Sequence, residues 1–129
     1  MSPPLPPLSR PLLWLSRAAF AALALFGTAS AVLPGNAGVH VFPWDKAEHF
    51  ACFYALTAVG AFAFPRLPAL WLAAGLALLG GLIEIVQGLP MVARDSDWKD
   101  WVADLAAIAA ALGPFVIAAW REKWRAASS

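Results

Sequence analysis

The chain has 129 residues, of which 61% are hydrophobic and 13% charged, with a mean hydropathy of +0.69. A water-soluble domain with that composition would leave too much apolar surface exposed, so the sequence points to a membrane protein. The net charge is +1, and the nine basic residues form no stripe or patch, which argues against nucleic-acid binding.

Residues 1–11 hold five prolines and read as a mobile polyproline-like tail, since such a segment neither forms a helix nor buries a core. Pro4 and Pro7 have PxxP spacing, a short and common pattern that fits a disordered tail. The first apolar run, residues 12–33, is broken only by Arg17 and stopped by Pro34 and Gly35. It resembles a signal peptide, with Arg10 and Arg17 before the uncharged stretch that starts at Ala18, and Ala29, Ser30 and Ala31 as a small-residue cleavage site. Its length, and the unusual three-span remainder that cleavage would leave, favour a retained helix.

The second span covers residues 44–64 and ends at Pro65, Arg66, Leu67 and Pro68, a turn that neither helix can continue through. The third covers residues 68–88. After a loop over residues 89–96, the fourth covers residues 97–120, with Asp97 as N-cap and residues 121–129 as a basic tail. Crossing ~30 Å of hydrocarbon takes about 20 apolar residues. The expectation is therefore an all-α, four-helix transmembrane bundle with short loops. Helices are required because an open strand in lipid strands its backbone polar groups.

With four spans, Arg10, Arg17, Arg66, Arg121, Lys123 and Arg125 share one side, which the positive-inside rule makes the cytoplasm, with both termini in it. Seven of the eight acids, all but Glu122, fall toward the opposite end, where only Lys46, Arg94 and Lys99 face them. The excess of four negative charges requires protonation, a bound cation or access to water. Most of the seven tryptophans sit near span ends as interfacial anchors, and the lone Cys52 reads as a small buried apolar residue.

Helical rise places His49, Glu84, Asp100 and Asp104 in a common layer roughly 5–10 Å below the helix ends, with Asp45, Lys46, Gln87 and Arg94 as its rim. Asp45 and His49 are four residues apart, Glu84 and Gln87 three apart, and Asp97, Asp100 and Asp104 follow one helix face. Below Glu84 come Gly80, Ala77 and Ala73, and below Asp104 come Ala107 and Ala111, small residues that let membrane helices approach closely. Bland readings stand beside these. Asp45, Lys46 and Glu48 fit an interfacial helix start, His49 fits a satisfied core histidine, and Asp95, Asp97 and Lys99 fit a solvated turn.

Three ordered motifs across residues 45–113 resemble the VanZ-like membrane proteins. Asp45, Lys46 and His49 match that family's DKxxH pattern, Glu84 and Gln87 its ExxQ pattern, and Arg94 and Asp100 its Arg–Asp pattern. The chain departs from the family in having Asp104 where Asn is common and Ala107 where Gly is common. The loop before Arg94 also lacks the usual Pro-Gly. The resemblance implies a bacterial, multi-pass protein of the inner membrane, of a family associated with glycopeptide resistance, and fixes no reaction.

Three functions follow as expectations. The first is a non-enzymatic protein that binds an envelope component or lipid-linked cell-wall precursor at the outer leaflet through Arg94, Lys46 and His49. The second is an intramembrane hydrolase or metal-dependent enzyme in which His49, Glu84, Asp100 and Asp104 hold a divalent ion or divide acid and base roles. The spacing matches no established metal motif, so no cofactor or metal is assigned on sequence. The third is a purely structural polar network or a small carrier, with homo-oligomerisation open. The binding role ranks first, with the lipid bilayer as the constant partner.

Overall fold

The computed structural model describes residues 8–33, 43–92 and 96–129. Most of the proline-rich tail and Arg94 lie outside the described residues. Within them the chain is all-helical, with α1 at Arg10–Val32, α2 at Asp45–Ala63, α3 at Ala69–Gln87 and α4 at Trp98–Ser128.

Local chemistry sets these boundaries. Proline in the first turn of α1 loses no helical hydrogen bond, because the first amides of a helix have no partner. α2 stops ahead of Pro65, whose ring disfavours helical backbone in the preceding residue, and Pro68 stands immediately before α3. Asp97 caps α4 by accepting the Lys99 amide at 3.0 Å. α4 continues past Pro114, which denies the Ala110 carbonyl its partner, and past Arg121 and Arg125 to Ser128. The basic C-terminal segment is thus a helical extension of the fourth element.

Three helices, α1, α3 and α4, are long and apolar enough to cross a membrane. α2 matches α3 in length at 19 residues, but its first turn carries Asp45, Lys46 and Glu48. Large apolar side chains point away from the protein on the same helices, with Leu25 73%, Leu70 78% and Ile85 66% exposed. So broad an apolar surface suits a hydrocarbon solvent.

α2 touches all three other helices, whereas α1 and α4 contact α2 and α3 but not each other. α1 and α4 therefore flank an α2–α3 pair. The core runs through Phe53 and Leu56 of α2, Leu72, Leu76 and Ile83 of α3, and Ile108 and Leu112 of α4. α1 has no fully buried residue and packs Phe20, Leu23 and Ala24 against this core.

Side-chain bonds show which helix ends meet. Arg17, near the start of α1, donates to the Ala63 carbonyl at the end of α2. Gln87, at the end of α3, donates to the Ala31 carbonyl at the end of α1. Lys46, at the start of α2, bonds Asp97 beside the start of α4. The order is up-down-up-down, and the acid-rich helix ends share one end of the bundle.

Candidate functional site

The polar end is assembled from the first turns of α2 and α4 and the last turns of α3. Small residues make the assembly possible. A Cβ at Gly80 would stand 2.6 Å from Asp104 Oδ2, so a larger residue there would displace the Asp104 carboxylate or push α3 from α4. One turn along the interface, the Trp101 indole N–H donates to the Ala77 carbonyl at 2.9 Å. A Cβ at Gly27 would stand 2.8 Å from Cys52 Sγ, which marks a second close approach, between α1 and α2.

His49 holds the centre. Its Nδ1 lies 2.9 Å from Asp104 Oδ1, and its Nε2 lies 3.9 Å from Asp100 Oδ2. Asp104 is fully buried, Asp100 is 1% exposed and His49 9% exposed. The exposed Asp45 completes the group from the rim, since one ligand-type atom each from Asp45, His49 and Asp100 lies within 4.8 Å of the other two. Lys46 spans two carboxylates, with Nζ 3.0 Å from Asp97 Oδ2 and 3.2 Å from Asp100 Oδ1. The second of these is an ion-pair distance without hydrogen-bond geometry.

The expected layer therefore divides. Asp45, Lys46, His49, Asp100 and Asp104 form one connected group, and Glu84 and Gln87 face elsewhere. Glu84 Oε2 accepts the Asp97 backbone N–H at 3.1 Å and the Ser96 hydroxyl at 3.3 Å. The same Ser96 hydroxyl reaches the Glu84 carbonyl at 2.9 Å. Glu84 thus ties the end of α3 to the chain entering α4. Gln87 Nε2 donates to the Ala31 carbonyl at 3.0 Å, which joins α3 to α1. Arg94, the eighth candidate, lies outside the described residues.

Acceptors outnumber donors here. Among the described residues Glu84 Oε1, Gln87 Oε1, Asp100 Oδ1 and Asp104 Oδ2 are buried without a hydrogen bond. Each such group is costly in a medium that offers no water, so the cluster favours species that bring protons or positive charge.

A cavity of about 200 Å³ adjoins the group between α1, α2 and α3. Its walls are apolar, with Leu23, Phe26, Phe53, Leu56, Leu79 and Ile83, and its polar end carries Asp45, Glu48, His49 and Gln87. Two interactions here escaped the sequence analysis. Asp97, expected as the N-cap of the fourth helix and as part of a solvated turn, also joins Lys46 and Glu84. Arg17 supplies a donor to the last turn of α2, and its position as the sole charge in an apolar run was the available signal.

Compared with known protein families, curated proteins and solved structures, the chain matches none, so its likeness to the VanZ-like pattern rests on the motif residues themselves.

Proposed function

We propose that the chain is a VanZ-like, four-span protein of the bacterial inner membrane, with both termini in the cytoplasm, that binds an amphipathic envelope component at the outer leaflet. The observation that carries the binding role is the cavity whose apolar body ends in Asp45 and His49. Such a pocket suits a ligand with a hydrocarbon portion and a polar group rich in hydrogen-bond donors. α2 counts as the fourth span because its charged first turn belongs at the polar end and the rest of it, from Phe50 to Ala63, carries no charge. Lys46 and His49 are already engaged by carboxylates, so hydroxyl or ammonium groups fit this end better than bare phosphate. The role requires no reaction.

Native mass measurement of the full chain in nanodiscs tests this. The wild type is expected to retain a co-purified lipid, and Leu79→Trp, which fills the cavity, is expected to lose it while keeping its helical circular dichroism. An unchanged lipid profile in folded Leu79→Trp would overturn the binding role. Terminal reporter fusions that read the periplasm would overturn the orientation.

A structural role is favoured for two residues. Glu84 and Gln87 bond the backbone of neighbouring elements, which describes ties between helices rather than ligand contacts.

A further inference from the structure

We propose that Asp45, His49 and Asp100 form a binding site for a first-row divalent cation such as zinc or manganese, with Asp104 as the positioning residue behind His49. The site shares Asp45 and His49 with the polar end of the cavity, but it is argued from side-chain geometry, so loss of lipid binding in Leu79→Trp leaves it standing.

The histidine carries the case. Asp104 Oδ1 lies 2.9 Å from Nδ1, an arrangement that in the neutral ring places the proton on Nδ1 and leaves the Nε2 lone pair free. That is how metal-binding histidines are oriented by a carboxylate behind them. Nε2 faces Asp100 Oδ2 at 3.9 Å, beyond hydrogen-bond distance. Two ligand atoms about 2.1 Å from one ion at a tetrahedral angle are about 3.4 Å apart, so a small closure brings both onto one ion.

The carboxylates supply an independent reason. Asp100 is 1% exposed, and its Oδ1 accepts no hydrogen bond among the described residues. A carboxylate oxygen of Asp45 lies within 4.8 Å of one of Asp100. Two such groups require a proton or a cation between them. Lys46 answers Oδ1 of Asp100 and leaves Oδ2 directed toward His49. One imidazole and two carboxylates suit zinc, iron or manganese, and the exposed Asp45 places the entry path at the rim. The set differs from the sequence expectation because Glu84 is committed to Ser96 and Asp97, and Asp104 to Nδ1.

The test uses the full chain, tag-free in detergent, stripped with chelator and then titrated separately with zinc and manganese. One ion per chain is expected for at least one metal. Asp45→Asn, an isosteric change at an exposed position, is expected to keep the helical circular dichroism and to weaken binding at least tenfold. Asp104→Asn is expected to weaken it about 10–100-fold, as loss of a carboxylate behind a ligating histidine does elsewhere. Cobalt loaded in place of zinc should show a visible absorption spectrum that shifts in Asp45→Asn. No stoichiometric ion in the folded wild type would mean that a shared proton alone neutralises the pair and would overturn the site. Binding and cobalt spectra unchanged in Asp45→Asn would overturn it as well.

Discussion

The two ends of the bundle solve the same problem in opposite ways. At the end where α1 starts and α2 stops, a donor meets a waiting acceptor. Arg17 Nε reaches the Ala63 carbonyl at 3.1 Å, and its guanidinium lies 5.1 Å from the Trp14 ring centre and 5.9 Å from that of Phe64. At the other end acceptors accumulate. Asp45, Asp97, Asp100 and Asp104 gather around Lys46 and His49, and four buried oxygens there and on the adjoining Glu84 and Gln87 lack a hydrogen bond among the described residues. A purely structural tie needs only matched partners, as the Arg17 end shows. The surplus of buried acceptors at the polar end is what the proposed binding roles draw on.

Substitutions that unbalance the two ends sharpen this contrast. The largest effect is expected for Asp104→Leu, which removes the partner of His49 in a fully buried position. Breaking a buried pair from one side typically costs about 3–5 kcal/mol. Chemical unfolding in detergent should show a loss in that range, and a loss below about 1 kcal/mol would mean that the His49–Asp104 pair holds nothing together.

Gly80→Val comes next. Its side chain would enter the space beside Asp104 Oδ2 and force α3 from α4, at about 1–3 kcal/mol for overpacking. The same unfolding measurement reads it. Unchanged stability would show that α3 and α4 are not in close contact at the polar layer.

The smallest effect belongs to the other end. Arg17→Ala should cost about 1 kcal/mol, the usual net value of a hydrogen bond, because one bond and two weak ring contacts are lost and no buried charge is stranded. A loss as large as that of Asp104→Leu would erase the distinction between the ends.

Much of the helical framework was legible in the sequence because its signals are local. Pro65 and Pro68 interrupt the backbone wherever they stand, and Asp97 caps α4 through an amide two residues away. The polar residues were legible as a set for a related reason. A charge in an apolar run is costly enough that its presence alone marks a buried or wet position.

Their partnerships were not legible. Helical spacing fixes how deep a residue lies and which face it shares, and leaves open how far each helix is rotated toward its neighbours. Glu84 has the depth of His49, yet α3 is turned so that its carboxylate meets Ser96 and Asp97. Gln87 likewise turns to Ala31 of α1, a carbonyl that carries no sequence signal. The sequence by itself determined four helices and a cluster of costly polar groups at one end of the last three apolar runs. Only the tertiary structure decided that His49 stands between Asp104 and Asp100, because that placement depends on the approach of α3 to α4 at Gly80 and of α2 to α4 beside it.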